Sequence, residues 1–347
     1  MAEKSGAGIS RRDFVKTSGA GALTAGLGPF FPFPDRVQVA SDAGVQELKK
    51  QLRGDLLRPS DGGYDAARSV WNAMVDRRPA LIVRCAGATD VISAVNFART
   101  NNVPVSVRGG GHNVAGSAVC DDGIMLDLSR MKSTRVDPAS RTARAEPGVL
   151  WGEFDRETQA FGLATTGGNC SQTGIAGLTL GGGFGWLMRK YGLALDNLLS
   201  VDVVGGDGQL RKASSTENPD LFFGVRGALE FWCCHLLGIS AASGRPDRPG
   251  WHGSPSSGEG QRSLQVLPSI FRETPVEMGG AAALLTSPDG HPMAALLTCY
   301  IGPIEAGEKL MRPLKEFGPP VADMIQPMPY VKFQTLGDGG VPRGRYN

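Results

Sequence analysis

A strand that opens into a run of three glycines constrains this chain more than any other stretch. The alternating residues 103–107 predict a β-strand, and Arg108-Gly109-Gly110-Gly111-His112-Asn113 follows directly, with Gly116 and Ser117 just behind. Glycines leave backbone N–H groups free to surround a phosphate or pyrophosphate. The alternative is a glycine turn that carries a solvated histidine, and a glycine motif alone does not separate the two.

The composition favours a globular protein whose backbone approaches a ligand closely. Hydrophobic residues make up 41% of the 347 residues, which is enough for a full core. Charged residues make up 20% and the net charge is +2, so there is no electrostatic case for a nucleic-acid partner. The 49 glycines cluster at 109–116, 162–185 and 205–208, whereas low-complexity sequence would spread them.

The residues that serve other common chemistries are not spaced as those chemistries require. His235, His252 and His291 share no metal-ligand spacing with a cysteine or carboxylate, so no metal site is predicted. The adjacent pair Cys233-Cys234 suits neither a zinc site nor a normal disulfide. The sequence also offers no Ser-His-Asp or P-loop constellation.

The N-terminal residues 1–39 are predicted to form an export signal. Paired arginines in SRRDFVK, from Ser10 to Lys16, precede a short apolar run from Thr17 to Phe31, as in a bacterial twin-arginine signal. The run is too short and too glycine-rich to span a bilayer. We therefore expect the twin-arginine machinery as a partner, no membrane span, and a periplasmic or secreted protein that begins near Ala40. The alternative is a disordered basic tail.

Helices and strands are predicted in mixed order between residues 41 and 226. The predicted helices are 45–52, 64–72, one capped by Thr89, and 150–161; the predicted strands are 81–83, 103–107, 124–128, 134–136, 142–145 and 199–204. The order lacks the regular βαβ alternation of a Rossmann domain. It predicts an α+β fold.

A second glycine cluster makes the interpretation specific. It reads TTGGNCSQTGIAGLTLGGGFGW from Thr165 to Trp186, and RKYGLALDN follows from Arg189 to Asn197. Together with the first loop, this combination resembles the berberine-bridge-enzyme-like branch of the vanillyl-alcohol-oxidase, or para-cresol methylhydroxylase (PCMH), type of FAD-binding proteins. The resemblance covers roughly residues 75 to 226, and 177–197 is its most diagnostic part.

The resemblance implies a two-subdomain PCMH-type FAD-binding domain over 40–226 and a role for each matching residue. His112, within the pyrophosphate loop, would bond to the flavin 8α-methyl carbon. Cys170 falls in the Gly-x-Cys-x-x-x-Gly slot, where some members add a second bond from sulfur to flavin C6. The other implied cofactor-binding residues are Arg108, Gly109, Gly110, Gly111, Asn113, Gly116, Ser117, Gly174, Gly177, Gly181, Gly182, Gly183, Asp196, Asn197 and Val203.

The two bonds require different properties of the residues that form them. A bond from His112 needs a nucleophilic ring nitrogen held against an electron-poor flavin, and a rigid glycine loop supplies that placement. A bond from Cys170 needs a thiolate beside an electropositive group. The alternative for Cys170 is a small buried thiol, which is the commonest state of a free cysteine.

The C-terminal residues 271–347 are predicted to form a partial substrate domain. Residues 281–286 and 293–300 alternate around the turn Ser287-Pro288-Asp289-Gly290, which predicts a hairpin, and an amphipathic helix is predicted over 303–317. In the family such an antiparallel sheet covers the flavin. Relatives continue into a berberine-bridge module, so we expect a C-terminally truncated chain and assign no catalytic residue.

The resemblance implies that the chain is an FAD-dependent oxidoreductase. It would transfer a hydride from a C–H of an alcohol, sugar or secondary metabolite to covalently bound flavin, with O2 as acceptor. The alternative is a truncated, non-catalytic remnant that binds FAD weakly or not at all.

The segment 227–270 interrupts this pattern. It is rich in Arg, Pro, Ser and Gly without periodicity, where the family continues with a glycine run and the flavin-contacting strand NFGVVT. When the codons are read one nucleotide later, the segment permits NFGVVTSLEYRLHPVGP from about Glu230 and KEVFKFYR from about Gln261. We interpret it as the product of two compensating frame shifts or of sequencing errors, which would remove one strand and its flavin contacts. The alternative is a divergent or disordered insert.

Resequencing the gene through this segment tests the frame-shift hypothesis. We expect codons that permit the shifted reading over the whole of 228–270. Codons that interrupt that reading would rule the hypothesis out and leave a genuine insert.

Overall fold

The computed structural model describes residues 41–227, 234–240, 250–255, 274–286, 292–316, 320–340 and 343–344. The predicted export signal, the turn at 287–290 and much of 227–270 lie outside these residues. None of the helices in the described part of the chain is long and apolar enough to cross a bilayer.

The first sheet combines one antiparallel and two parallel pairings and ends at the glycine loop. Its strands are β1 (Asp55–Leu57), β2 (Leu81–Arg84), β3 (Val105–Arg108) and β4 (Ile124–Asp127), in the order β1-β2-β4-β3. The helices around it are α1 (Asp42–Gln51), α2 (Tyr64–Arg68) and α3 (Ala88–Thr100). Parallel pairs β2–β4 and β3–β4 bring the carboxyl ends of β2, β3 and β4 to one edge, where the loop after Arg108 begins.

Helix α3 begins differently from the prediction. Thr89 lies inside the helix, and the N-cap residue Gly87 offers no side chain, so the predicted Thr89 cap is wrong. Asp90 does the anchoring instead: its carboxylate accepts hydrogen bonds from the backbone N–H groups of Arg53, Gly54 and Ala86 at 2.8 to 3.0 Å. Because the carboxylate is fully buried, these three donors are what offset its desolvation.

The second sheet is antiparallel and carries the second glycine cluster on one side. Its strands are β5 (Thr134–Asp137), β6 (Thr142–Ala145), β7 (Leu198–Val204), β8 (Leu210–Ser214) and β9 (Cys234–Ser240), in the order β5-β6-β9-β7-β8. Helices α4 (Trp151–Gln159), α5 (Ile175–Leu180), α6 (Met188–Tyr191) and α7 (Pro219–Val225) belong to the same part of the chain. Trp151 and Phe154 of α4 are fully buried in its core.

Strand β9 lies in the middle of the second sheet, between β6 and β7. Its backbone pairs with both neighbours along most of its length, for example Arg144 with Gly238 and Val201 with Leu237. The expectation that segment 227–270 removes a strand is therefore wrong for residues 234–240. The physical reason is that ladder hydrogen bonds come from the backbone, so a strand can form whatever the reading frame encodes.

The third sheet confirms the predicted hairpin and helix near the C-terminus. Its strands are β10 (Gly250–Pro255), β11 (Met278–Thr286), β12 (Pro292–Tyr300) and β13 (Pro320–Met324), all antiparallel, in the order β11-β12-β10-β13. Helix α8 (Ile304–Lys315) buries Met311 and Leu314 against this sheet.

The sequence did not predict the segment that follows, helix α9 (Tyr330–Gln334) and a 3₁₀ turn (Asp338–Gly340). Helix α9 packs against α4, and the buried Gln334 amide donates to the Gly168 carbonyl at 2.8 Å and to Asp155 at 3.2 Å. Phe333 also meets Trp186 edge to face, with ring centroids 5.1 Å apart. The segment therefore ties the C-terminal part of the chain to the second glycine cluster.

Asp155 makes this junction sensitive to pH. Burial raises the pKa of the carboxyl to about 7, and the hydrogen bond from Gln334 opposes the rise only in part. The folded protein thus holds a proton that the unfolded chain releases. The stability that this proton contributes is complete below the unfolded pKa and is lost as the pH rises through about 7.

We expect the free energy of unfolding to fall by on the order of 2 kcal/mol between pH 5 and pH 8, because Asp155 must ionise inside the core. Asp155→Asn keeps an acceptor for Gln334 and removes this fall. Denaturant unfolding at a series of pH values measures both. Asp207→Asn is the control, since Arg211 lowers the pKa of that exposed carboxyl to below this window. Equal pH slopes in wild type and Asp155→Asn would contradict the account.

Candidate functional site

The two glycine clusters meet in direct backbone contact. A side chain added to Gly110 would lie 2.4 Å from the backbone nitrogen of Gly174, and one added to Gly174 would lie 2.4 Å from that of Gly110. Leu150 pairs with Gly174 in an isolated antiparallel bridge, which fixes the second loop beside α4. Only glycine permits this approach, so both loops line one site.

The second cluster then turns through conformations that favour glycine. Gly182 and Gly183 have φ values of +112° and +80°, in the left-handed region. A side chain at Gly183 would also meet Ala194 at 2.5 Å and Leu178 at 2.6 Å. At Gly177, on α5, nothing lies within 4 Å of an added side chain, because this residue is exposed.

His112 stands where the two loops meet, with one ring nitrogen free. Its ring stacks on Trp71, with centroids 3.9 Å apart and an interplanar angle of 27°. The buried Nε2 has no hydrogen-bond partner. Burial lowers the pKa of the imidazole, the backbone of Gln172 opposes this, and the charge of Arg343 lowers the pKa further. His112 is therefore neutral near pH 7, and Nε2 is a buried basic nitrogen without a hydrogen-bond partner.

Two arginines shape the electrostatics of the first loop. Arg108 is buried, donates to the Ala67 carbonyl, and lies near Asp127. Burial lowers the pKa of the guanidinium and Asp127 opposes this, but a guanidinium of this kind keeps its charge at neutral pH. Arg343 donates to the Ser69 carbonyl at 2.6 Å, next to the Trp71 turn. Both cations lie on the His112 side of the site, and their contact with a pyrophosphate stays a prediction.

The environment of Cys170, unlike that of His112, favours the unreactive form of the side chain. Its Sγ donates to the Asp338 carboxylate at 3.3 Å. Burial raises the pKa of the thiol, the Asp338 carboxylate raises it further, and hydrogen bonds with the Gln172 backbone and the Thr173 side chain oppose the rise. The thiolate that the predicted second bond requires is therefore disfavoured in this structure.

The rest of the predicted loop residues shape the backbone. Asn113 accepts a hydrogen bond from the Ser117 N–H at 3.0 Å and so closes the turn that contains Gly116. Gly116 has a φ of +77° and packs on Val75, where a side chain would meet Cγ1 at 2.6 Å. Gly111 has a φ of +74°, and its carbonyl accepts from the Trp71 N–H. A side chain at Gly109 would lie 2.8 Å from the Pro147 carbonyl oxygen.

The residues predicted for the adenine end make local contacts. Asp196 caps its own 3₁₀ turn by accepting from the Leu193 N–H, and Asn197 donates to the carbonyls of Tyr191 and Leu193. Val203 is buried in the core of the second sheet. Gly181 ends helix α5. The structure shows these residues shaping the segment around Gly182 and Gly183, and their contact with adenine stays a prediction.

The sequence analysis missed four residues that touch the predicted anchors: Trp71, Gln172, Asp338 and Arg343. Trp71 and Arg343 lie beside His112, Asp338 lies beside Cys170, and Gln172 acts on both. No spacing in the sequence indicates these contacts, because Asp338 and Arg343 come from more than 160 residues further along the chain. Gln172 could have been predicted, since it lies inside the second glycine cluster.

These features fit FAD. The buried, unpartnered Nε2 of His112 marks a position where a bound group is needed to complete its contacts.

Two alanine substitutions compare the packed position Gly110 with the exposed position Gly177. Gly110→Ala should lower the free energy of unfolding by about 1–3 kcal/mol or prevent folding, because its methyl group meets the Gly174 backbone. Gly177→Ala should leave stability unchanged or raise it by up to about 1 kcal/mol, because alanine favours a helix. Thermal unfolding checks both. Equal loss of stability in the two variants would contradict the contact.

Comparisons with known proteins agree with this geometry. Residues 79–214 match the FAD binding domain family, and residues 8–28 match the twin-arginine translocation pathway signal sequence. The twin-arginine prediction is confirmed, and it implies the twin-arginine machinery as a partner and export across a membrane.

Two relatives by sequence are oxidoreductases. The chain is 43% identical over 177 residues to (R)-6-hydroxynicotine oxidase of Paenarthrobacter nicotinovorans, covering 51% of this chain and 39% of that protein. It is 32% identical over 302 residues to an FAD-linked oxidoreductase of Dictyostelium discoideum, covering 86% of this chain and 66% of that protein. The chain thus spans less than two thirds of the length of these relatives.

Solved structures share the fold. The 6-hydroxy-D-nicotine oxidase of Arthrobacter nicotinovorans superposes with a TM-score of 0.78 at 32% identity, covering 84% of this chain and 66% of that one. The Physcomitrella patens protein BBE-like 1 superposes with a TM-score of 0.73 at 25% identity, covering 82% and 63%. The predicted α+β fold with a PCMH-type FAD-binding domain is confirmed, and the chain belongs to the berberine-bridge-enzyme-like family of FAD-linked oxidoreductases.

Proposed function

We propose that this protein is an FAD-dependent oxidoreductase that carries its flavin on His112 and oxidises a small molecule after export. The observation that carries the proposal is the state of His112. Its ring is neutral, it is braced by Trp71, and its buried Nε2 has no partner at the meeting point of two glycine loops. A histidine in that state has what attachment to a flavin 8α-carbon requires, a lone pair and a fixed direction.

Different segments of the chain bind different parts of FAD. The loop from Arg108 to Asn113 receives the pyrophosphate, since it offers backbone N–H groups and lies beside two cations. The segment from Gly174 to Gly183 receives the ADP and isoalloxazine portions, because its backbone is bare and α5 is open at Gly177. When bound, FAD supplies the capacity to accept two electrons and a proton from a substrate C–H bond.

The third sheet is placed to cover that site. Arg189, just after the second cluster, donates to the Met278 carbonyl at 2.5 Å and to Thr274 at 2.9 Å. Lys190 pairs with Glu277 at 3.2 Å, and a side chain at Gly279 would lie 2.4 Å from the Trp186 carbonyl oxygen. These contacts hold β11 against the chain segment that follows Gly183, which supports the proposal that the sheet covers the flavin site on that side.

The substrate class and the acceptor are proposals that rest on the family resemblance and on the relatives named above. Two of them are 6-hydroxynicotine oxidases, which supports an oxidase that passes electrons to O2. We propose a C–H bond of an alcohol, sugar or secondary metabolite as the site of oxidation.

The alternative function is a non-catalytic remnant that binds FAD weakly. It is less well supported, because the two glycine loops meet, the cations lie beside the first loop, and the strand predicted to be lost is in place as β9. The visible spectrum of the purified protein separates the two functions: a flavin band that bleaches under a substrate supports the enzyme, and a protein without flavin supports the remnant.

His112→Ala tests the attachment itself. We expect the wild-type flavin to stay with the protein after denaturation in acid, and the flavin of the variant to be released, since the ring nitrogen that forms the bond is gone. Flavin absorbance in the protein pellet and the supernatant measures this.

Val114→Ala is the matched control, because Val114 is exposed on the same loop two residues further on. It should keep its flavin. A wild-type protein that releases all its flavin in acid would rule out covalent attachment.

A further inference from the structure

Asp338 lies directly against the Cys170 thiol, although 168 residues separate the two in sequence. One carboxylate oxygen accepts from the Cys170 thiol at 3.3 Å and from the Ser171 N–H at 3.0 Å, and the other accepts from the Ser171 hydroxyl at 2.5 Å. Three donors on two neighbouring residues therefore fix this carboxylate against the loop. Asp338 belongs to the 3₁₀ turn after α9, outside the predicted FAD-binding domain.

The same turn is held in place independently of Asp338. Gln334 donates to the Gly168 carbonyl at 2.8 Å, two residues before Cys170. Gln159 at the end of α4 accepts from the Val331 N–H at 2.9 Å. Because these contacts dock α9 without using Cys170, the position of Asp338 does not depend on its bond to the thiol.

We propose that Asp338 is a positioning residue that holds Cys170 as an uncharged thiol and so restricts flavin attachment to the single bond from His112. This inference rests on the proposed function, since it concerns how the same cofactor is attached. It follows from the location of a negative carboxylate within hydrogen-bond distance of the sulfur, where a thiolate would be repelled.

The groups around the thiol act in two directions. Burial and the Asp338 carboxylate favour the protonated thiol, and hydrogen bonds with the Gln172 backbone and the Thr173 side chain favour the thiolate. The nearby His112 is neutral and adds no positive charge that would offset the carboxylate. Asp338 therefore adds a negative charge to the larger effect of burial, and both favour the protonated thiol.

The Cys170–flavin bond that Asp338 prevents would form by a two-electron oxidation. A Cys170 thioether at flavin C6 forms one C–S bond and breaks one S–H and one C6–H bond. The two protons and two electrons that are released pass to dioxygen, which becomes hydrogen peroxide. Only the thiolate attacks at a useful rate, so keeping the proton on sulfur stops the sequence at its first step.

Alkylation of Cys170 tests the electrostatic part without relying on activity or on flavin. The reaction of iodoacetamide with full-length protein is followed at the Cys170 peptide by mass spectrometry across pH. Asp338→Asn keeps an oxygen to accept from Ser171 but removes the charge. We expect its alkylation at pH 7.5 to rise severalfold, because removal of the Asp338 charge lowers the pKa of the Cys170 thiol.

Two control variants distinguish the effect of the Asp338 charge from the effect of packing around Cys170. Gln159→Ala loosens the docking of α9 but leaves Asp338 beside the thiol, and Ser171→Ala removes one hydrogen bond but keeps the charge. Both should keep the wild-type pH profile. An unchanged profile in Asp338→Asn, or the same shift in Gln159→Ala, would overturn the inference.

Flavin attachment tests the consequence. In wild type, peptide mapping should find flavin on His112 alone, and His112→Ala should release it in acid. In the double variant His112→Ala, Asp338→Asn, flavin should be retained through Cys170 and lost again when Cys170→Ser is added. A wild-type Cys170–flavin bond, or a double variant that releases all its flavin, would overturn the inference. A wild-type protein with no flavin would instead overturn the proposed function, and the alkylation profile would still decide what Asp338 does to the thiol.

Discussion

The contact between the backbones of Gly110 and Gly174 is the constraint on which the rest of the site depends. One glycine follows a strand of the first sheet, and the other precedes helix α5 above the second sheet. A methyl group at either position would overlap the opposite backbone. The two halves of the FAD-binding domain thus approach closely here, and their approach places His112 beside Gln172. Glycine is required at both positions because of this close approach.

The two predicted anchors, which look equivalent in the sequence, have different chemical states in the structure. His112 is neutral, stacked on an aromatic ring, and free at Nε2. Cys170 shares its proton with the Asp338 carboxylate. Burial acts on both side chains, but it favours the reactive form of a histidine and the unreactive form of a cysteine. These two states support the proposal of a single covalent bond from His112, with Cys170 kept protonated by burial and by the Asp338 carboxylate.

The sequence predicted what depends on local pattern. The strand before Arg108, the hairpin of β11 and β12, and the amphipathic helix α8 were all correct because alternation, turn residues and helical periodicity are local signals. The Thr89 cap was wrong, because a buried Asp90 binds three backbone N–H groups that only the fold brings together. The loss of a strand from 227–270 was wrong for β9, because backbone pairing tolerates many side chains.

What the sequence could not predict are contacts between distant parts of the chain. Asp338, Gln334 and Arg343 lie in the segment expected to belong to a substrate domain. Asp338 and Gln334 nevertheless bond to the second glycine cluster, and Arg343 bonds to the Ser69 carbonyl near Trp71. Their roles depend on how α9 packs on α4, and no spacing in the sequence encodes that packing. The FAD site is therefore formed by more of the chain than the residues that resemble the family's motif.

An experimental electron-density map of the flavin-loaded protein tests the central claim most directly. The account predicts continuous density from the His112 ring to the flavin 8α-carbon, with the pyrophosphate on the loop from Arg108 to Asn113 and the Cys170 sulfur separate from the ring. Flavin bound away from the junction of Gly110 and Gly174, or a His112 ring with no link to it, would contradict the account.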